Sequence, residues 1–492
     1  MFARTALALV LGATGVLAQS IPDRPEKLAF APVTFQIPRA AEHKARLKNG
    51  IPVYLSLAEK EASPLVRITI TWRGGSYLDP KGREGLAQLF GAQLARGGTA
   101  TLSAEKLEDR LEGLAASLGS SCGDTSGNLS LTVLEQDLDE GLGLMLQVLT
   151  EPGFAQDRLD LAKRQQKQGL GRRNDAVTSI ASYQMPFLLH GETHFASQDP
   201  TAASLDALTR DDLKAFHARL LHPSNLVVTV SGRGSRKALL AKLDAGFGAL
   251  KAAPGAQVSP AIPAPTHVRK PGIYVTDKDA PQAMVQWAFP GLRRTDPDWH
   301  AALVMNQLLG ASGFTSRLMK KIRSDEGLTY GVRTALGAGP HWRGDLTGSM
   351  QTKNRSVAYA LRLALEEMRR MRDEAPAAEE LKVIQDNLIE AFPAQWSGRQ
   401  AVAARFSEEA LLGWTEDWWV DFRAKVQKVT PADVRRLAQR LLQPDQLVIL
   451  AVGKASDMEA GDGDHPGKLA DILPLPLVRL PLRDPQTLKP LN

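Results

Sequence analysis

The chain has 492 residues, of which 43% are hydrophobic, and its 60 Lys and Arg against 54 Asp and Glu give a formal net charge of +6. This length allows two to four domains with sizeable apolar cores, which excludes a disordered chain. The single cysteine, Cys122, excludes an intramolecular disulfide framework, and the charge is too dilute to indicate a nucleic-acid or membrane-surface patch.

Residues 1–18 have the layout of a secretory signal. Arg4 supplies a positive charge, an apolar run follows from Ala6 to Val10, and the ending Val16-Leu17-Ala18 is typical of a cleavage site. We therefore expect a periplasmic or secreted protein. The alternative is an ordinary buried N-terminal helix. Because no later segment reaches 18 uninterrupted apolar residues, we expect no membrane span.

An internal repeat aligns residues 208–232 with residues 429–453. In each copy a threonine, Thr209 or Thr430, is predicted to cap a helix that ends before Pro223 or Pro444, and a β-branched strand follows. The identical pairs are Thr209/Thr430, Asp212/Asp433, Arg219/Arg440, Leu220/Leu441, Leu221/Leu442, Pro223/Pro444, Leu226/Leu447, Val227/Val448 and Gly232/Gly453.

The repeat extends upstream, because Val66–Trp72 and Met284–Phe289 are both strand-like and both lead through Asp-Pro into a long helix. Each half also contains helical patterns of 12 to 18 residues, such as 138–149 and 357–371. The fold class is therefore predicted to be α+β, with two homologous halves that each pack helices on a mixed β-sheet.

The predicted boundaries follow from the repeat and from the composition of the linker and tail. The N-terminal half spans 40–250 and the C-terminal half spans 271–455. Between them, residues 251–270 form a Pro/Ala-rich linker that favours extended backbone. The tail, 456–492, is rich in proline and charge, so we expect it to be extended or partly disordered.

A set of short motifs resembles the insulinase/pitrilysin family of zinc peptidases, in particular bacterial two-repeat chains similar to mitochondrial processing peptidase subunits. The motifs, in chain order, are Leu47-Lys-Asn-Gly50, Gly74-Gly-Ser-Tyr-Leu-Asp-Pro80, Glu84-Gly-Leu-Ala87, Gly97-Gly-Thr99, Leu308-Leu-Gly310, Thr315-Ser-Arg-Leu318 and Arg323-Ser-Asp-Glu-Gly-Leu-Thr-Tyr330. The resemblance covers residues 40–455. It implies two α+β halves that enclose a peptide chamber, usually completed by a second two-repeat chain.

The zinc motif of that family, H-x-x-E-H, is degenerate in this chain. Alignment on Glu84-Gly-Leu-Ala87 places Gln88 and Ala92 at the two His positions of the motif and Gly91 at its Glu position. Zinc needs the two imidazoles on one helical face, and the Glu activates the metal-bound water. The family's further Glu ligand is also absent, since residues 155–190 contain only Asp157, Asp160 and Asp175 as carboxylates. We predict no catalytic residue and no metal in this chain.

Other candidate sites are weaker. His190 and His194 would share a face only in a helix, and Gly191 and Thr193 disfavour one. His217 and His222 match Ala438 and Gln443 in the second repeat copy, so we interpret them as surface or packing residues. Cys122 is interpreted as a small loop residue, and Leu309–Gly313 lacks the Gly-Lys-Ser/Thr ending of a phosphate loop.

The C-terminal half keeps Arg323 and Tyr330. In active family members a matching Arg and Tyr, from the half opposite the zinc helix, bind the peptide backbone and polarise the scissile carbonyl. The alternatives are that Arg323 is a helix-end charge paired with Asp325 or Glu326, and that Tyr330 is a half-buried strand residue.

The functional hypothesis is complementation between two chains. The chain would be the non-metal-binding subunit of a heterodimeric zinc metallopeptidase, lending Arg323 and Tyr330 to a partner with an intact H-x-x-E-H and its zinc. One alternative is a catalytically inactive scaffold or peptide-binding protein that acts as a homodimer. The other is an autonomous peptidase with an unrecognised site, although no triad or metal cluster stands out by spacing.

Overall fold

The computed structural model describes residues 35–251, 259–465 and 467–491, together with Arg24, Lys27 and Leu28. The predicted signal segment, 1–18, and part of the predicted linker, 252–258, lie outside these residues. The compact unit that carries both sheets spans Ile37–Asn492. No helix within the described ranges combines the length and apolar character that a bilayer span requires.

The first half forms a six-stranded mixed sheet with the spatial order β1-β2-β6-β3-β5-β4. Only the β2/β6 pair is parallel. Its strands are β1 (Lys44–Arg46), β2 (Pro52–Ala58), β3 (Leu65–Arg73), β4 (Ser117–Cys122), β5 (Ser126–Leu134) and β6 (Leu226–Arg233).

The second half repeats this sheet, with the order β14-β7-β13-β8-β12-β10, while β9 and β11 form a separate two-stranded ladder. The strands, in chain order, are β7 (Gly272–Asp277), β8 (Gln282–Pro290), β9 (Leu292–Arg293), β10 (Val332–Leu336), β11 (Ala338–Gly339), β12 (Asp345–Lys353), β13 (Val448–Gly453) and β14 (Leu477–Leu480). The predicted α+β class with two homologous halves is confirmed.

The helices fall into matching sets around the two sheets. They are α1 (Ala40–His43), α2 (Leu86–Leu94), α3 (Ala104–Gly113), α4 (Leu138–Thr150), α5 (Gln156–Leu170), α6 (Val177–His190), α7 (Ala202–Ala207), α8 (Arg210–Leu220), α9 (Arg236–Gly246), α10 (Trp299–Asn306), α11 (Val357–Asp373), α12 (Ala378–Ala391), α13 (Arg399–Leu412), α14 (Phe422–Gln427), α15 (Pro431–Leu441) and α16 (Ala455–Ala460). Two π-helices span Gln307–Ala311 and Met319–Asp325.

The repeat copies begin their helices in the same way. Thr209 at the start of α8 and Thr430 at the start of α15 each form a capping box with an aspartate three residues later, Asp212 or Asp433. Each box satisfies N–H groups that the first turn of a helix leaves without partners. The helix starts predicted at these threonines therefore have the expected physical cause.

Matched glycines accommodate a tryptophan in each sheet. Gly127 lies opposite Trp72 across β5 and β3, and Gly348 lies opposite Trp287 across β12 and β8. A Cβ on Gly127 would approach the Trp72 ring to 2.3 Å, and one on Gly348 would approach the Trp287 ring to 2.1 Å. Only glycine leaves room for an indole at these two positions.

Each half supplies a helix to the other half's sheet. From the first half, α6 packs on β8 and β13 of the second sheet, where Ile180 joins a buried cluster with Val448 and Leu450. From the second half, α13 packs on β2, β3 and β6, and its buried Phe406 stacks on Tyr54 at 6.3 Å between ring centroids. The core of each half therefore depends on a helix from the other.

The tail is more structured than the sequence suggested. After α16, β14 adds to the edge of the second sheet in parallel with β7. The tail then returns to the first half, where Asn174 Nδ2 donates to the Arg483 carbonyl at 2.9 Å and Ala202 N donates to the Gln486 carbonyl at 2.8 Å. Prolines flank β14, as is tolerated on an edge strand.

Candidate functional site

The helix at the position of the zinc motif is α2, Leu86–Leu94. Gly85, with φ of 101°, precedes its first residue. The carboxylate of Asp79 accepts hydrogen bonds from Gly85 N at 2.9 Å and Ala87 N at 3.0 Å. Asp79 thus satisfies donors at the helix start, where a negative charge is also favoured by the helix dipole.

The three motif positions on α2 have different surroundings. Gln88 is exposed and Ala92 is half-buried, whereas Gly91 is buried. A Cβ on Gly91 would lie 2.2 Å from the backbone nitrogen of Cys122 on β4. Since the helix and strand touch through their backbones at this point, the structure has no room for a glutamate there.

Metal-binding groups are absent from this site. No group of three or more His, Cys, Asp or Glu side chains in the described part of the chain is arranged to hold a metal ion. Of the carboxylates noted between residues 155 and 190, Asp160 accepts a hydrogen bond from Gln156 Nε2 at 2.9 Å on α5. The helix therefore offers neither the two imidazoles nor the carboxylate that a catalytic zinc requires.

Cys122 lies at the end of β4 rather than in a loop, which corrects the sequence interpretation. Its side chain is 6% exposed and its Sγ donates to the Gly74 carbonyl at 3.6 Å. Burial raises the pKa of the Cys122 thiol to about 12. A thiol that stays protonated at neutral pH is a poor nucleophile, so Cys122 serves as a small packing residue under α2.

The histidine pair at the end of α6 is not on a common helical face. The helix ends at His190, and Gly191 has φ of 80°. His194 Nδ1 accepts from Ala196 N at 3.3 Å, and its Nε2 lies 3.0 Å from the Pro263 carbonyl. Both ring nitrogens of His194 are thus engaged within the chain, which leaves none for a metal.

His217 and His222, the remaining histidines considered in the sequence analysis, have packing roles. His217 Nε2 lies 2.7 Å from the Leu149 carbonyl, and the buried His222 hydrogen-bonds through Nδ1 with Ser224 Oγ at 2.9 Å. Leu309–Gly313 runs through the end of a π-helix, where a Cβ on Gly310 would lie 2.7 Å from Thr334 Oγ1. Gly310 thus permits close packing against β10.

Arg323 lies in the π-helix Met319–Asp325, and its guanidinium stands 4.3 Å from the ring centroid of Phe314. Among the described residues it forms no ion pair, because Glu326 binds Lys321 at 3.1 Å and Tyr359 at 2.8 Å instead. The alternative that Arg323 pairs with Asp325 or Glu326 is therefore wrong. A cation on an exposed aromatic face keeps its N–H donors available to other groups.

Tyr330 is 89% exposed and lies in the loop before β10, so it is not a half-buried strand residue. Its neighbour Thr329 anchors that loop, since Thr329 Oγ1 lies 2.7 Å from the Gln351 carbonyl of β12 and 3.1 Å from Gly331 N. The phenol is thus presented to solvent from a fixed backbone.

Tyr330 lines a cavity of about 470 Å³ on the second sheet. Its wall includes Met319 at the start of the π-helix, Thr178 of α6 and Arg333 of β10. Arg333 was not predicted from the sequence. The alternation of residues along β10 could have indicated it, because Val332 and Thr334 point inward and Arg333 points outward. Arg323 does not line this cavity.

The chain is similar to known members of the M16 peptidase family. Residues 207–388 match the family model described as the Peptidase M16 inactive domain. The chain is 29% identical over 332 residues to the "Non-peptidase homolog YmxG" of Helicobacter pylori, covering 66% of this chain and 75% of that protein. It is 28% identical over 249 residues to the "Uncharacterized zinc protease SCO5738" of Streptomyces coelicolor, covering 49% of this chain and 53% of that protein.

Among solved structures, the fold is similar to the peptidase M16 inactive domain from Pseudomonas fluorescens. The TM-score is 0.74 at 26% sequence identity, and the match covers 84% of this chain and 97% of that one. Both the sequence and the structure comparisons therefore associate this chain with a domain described as inactive.

Restoring the zinc-motif residues is expected to fail. In Gln88→His/Gly91→Glu/Ala92→His the glutamate would collide with the backbone of β4, and no further carboxylate ligand is in place. We expect a lower melting temperature and no tight one-to-one zinc by metal analysis. The matched control, Gln88→His/Ala92→His, changes only the half-buried or exposed positions and should melt close to the parent. One tightly bound zinc in the triple variant would contradict this account.

The start of α2 should make stability depend on pH. Burial raises the pKa of Asp79 to about 7, although the N–H groups of Ala87 and Gly85 favour the ionised form. Because this value exceeds the usual pKa of an unfolded aspartate, the folded chain holds the extra proton, and the stabilising contribution is lost as the pH rises from about 4 to 7. In Asp79→Asn the decrease in urea unfolding midpoint between pH 5 and pH 8 should be smaller. The exposed-site control Asp109→Asn should retain the parent's pH dependence, and equal slopes in all three proteins would refute the assignment.

Proposed function

This chain belongs to the M16 peptidase family, in its inactive-type form, and on that basis we propose that it is the non-metal-binding subunit of a two-chain zinc peptidase. The partner would be a homologous two-repeat chain with an intact H-x-x-E-H motif and its zinc. The pair would cleave peptides within a chamber to which both chains contribute.

The observation that carries the proposal is the contrast between the two halves. On the first half, the zinc-motif helix has no ligand, and Gly91 is held against the backbone of β4. On the second half, Tyr330 is exposed beside a cavity, and Arg323 is not neutralised by a carboxylate of the described residues. Under this proposal, the second half keeps the groups that would bind a peptide, while the first half lacks the groups that would hydrolyse it.

Arg323 and Tyr330 suit one chemical task. Attack of water on a peptide carbonyl places negative charge on its oxygen, and a fixed phenol or guanidinium donor stabilises that charge in a chamber that excludes water. Neither group activates the attacking water, because that step needs a general base and a metal. In the proposed pair, the partner would supply both of these.

Isolation from the native host tests the partnership directly. We propose that the chain is exported, so a tagged copy would be purified from the cell envelope in mild salt and its associated proteins identified by mass spectrometry. A stoichiometric homologue with H-x-x-E-H and bound zinc would support the two-chain peptidase. Recovery of the tagged chain only as a homodimer, without zinc or peptidase, would refute it.

Substitution of the two donors should lower turnover without preventing assembly. Removal of one donor of this kind typically reduces kcat by about 100-fold to 1,000-fold, so we expect a loss of that order for Arg323→Ala and a smaller one for Tyr330→Phe. Lys320→Ala, an exposed cation on the same π-helix, is the matched control and should leave kcat unchanged. Assembly would be followed by size-exclusion chromatography; full turnover in both donor variants would rule out their role.

A second candidate function is a peptide-binding scaffold without cleavage. It is favoured by the description of the Helicobacter pylori relative as a non-peptidase homologue. Under this proposal Arg323 and Tyr330 would bind peptides in a homodimer, and the variants would weaken peptide binding while no preparation hydrolysed peptides.

A further inference from the structure

A second cavity of the C-terminal half lies apart from Tyr330 and shares no lining residue with the cavity there. It has a volume of about 310 Å³, which is at the lower end of the range for small-molecule sites. Helix α11 forms one wall, the segment after α15 forms another at Leu442 and Pro444, and the tail closes it with Ile472 and Leu473.

The α11 wall combines apolar and basic side chains. Leu365, Arg369 and Arg372 follow each other at helical spacing, so one face of the helix presents all three to the cavity. Arg362 and Glu366 also line it, which leaves the arginines in excess of the single carboxylate. The cavity is therefore apolar in its floor, at Phe289 and Leu442, and basic at its rim.

Two of these arginines are not satisfied by the described part of the chain. Arg372 Nε is buried from solvent and has no hydrogen-bond partner among the described residues. Arg369 is exposed, and within the described ranges its guanidinium forms no ion pair or hydrogen bond. By contrast, the neighbouring Arg370 binds Glu367 at 3.1 Å outside the cavity. A buried donor without a partner costs free energy unless a ligand or water accepts its hydrogen bond.

The two repeats differ beside this cavity. In the first half α9 runs from Arg236 to Gly246 and contacts α4, with Gly246 lying against Leu146. The corresponding helix of the second half, α16, stops at Ala460 after six residues. In the second half, the face of α11 that carries Leu365, Arg369 and Arg372 lines the cavity.

We propose that this cavity binds a small amphiphile with an aliphatic chain and a single anionic head group. The head group, a carboxylate or a phosphate ester, is held by Arg369 and Arg372, since guanidinium groups bind both in a bidentate manner. The aliphatic chain lies on Phe289, Leu365, Leu442 and Leu473. This site is independent of peptide hydrolysis and does not rest on the proposed function.

Titration calorimetry of the full chain with decanoate tests the site, with decyl phosphate as the alternative head group and decanol as the uncharged control. Saturable one-to-one binding of decanoate or decyl phosphate, with decanol much weaker, is expected. The stronger of the two anions identifies the head group. Absence of saturable binding for both anions, or equal binding of decanol, would overturn the proposal.

Variants locate the binding to this cavity. We expect Arg369→Gln/Arg372→Gln to raise the Kd roughly tenfold or more, as loss of charged hydrogen bonds implies. Arg370→Gln, one residue away but paired outside the cavity, should bind as the parent does. If the double variant folds poorly, the Kd can be measured with Arg369→Gln alone, because this position is exposed. An unchanged Kd in a folded Arg369→Gln variant would place the ligand elsewhere and refute the assignment.

Discussion

The exchange of α6 and α13 between the two halves is the constraint on which the rest of the structure depends. A sheet has two faces, and its apolar positions are stable in water only when another layer covers them. Here each half covers one region of its neighbour's sheet, through Ile180 on one side and Phe406 on the other. The halves are consequently parts of one cooperative unit, and the second-half cavity at Tyr330 includes Thr178, a residue of the first.

The zinc-motif positions of α2 can lack ligands without loss of the fold. Gln88 is exposed and Ala92 is half-buried, so these two positions contribute little to the core, whereas Leu89 and Phe90 on the same helix are fully buried. Ligands there can be replaced while the exchanged helices still hold the two halves together. Close backbone contact at Gly91 then takes the place that a glutamate side chain would need.

The sequence predicts the fold well because the repeat carries physical signals twice. Thr209 and Thr430 cap their helices as expected, and β3 and β8 lie at the two strands predicted at 66–72 and 284–289. The exchange itself was not predictable, because an amphipathic helix records that one face is buried but not which sheet buries it. At the site, the alternative to a functional role for Arg323 was an ion pair with Asp325 or Glu326. Its actual contact with Phe314 depends on the turn between two short helices and was not predictable from spacing.

The exchange also has a consequence for how the chain is made. A ribosome releases the strands of the first sheet long before it reaches α13, so the face that Phe406 covers stays bare while more than a hundred further residues, roughly seconds of translation, are added. The first half therefore cannot complete its fold before α13 has been synthesised. Until then its exposed β-branched strands would need protection from association.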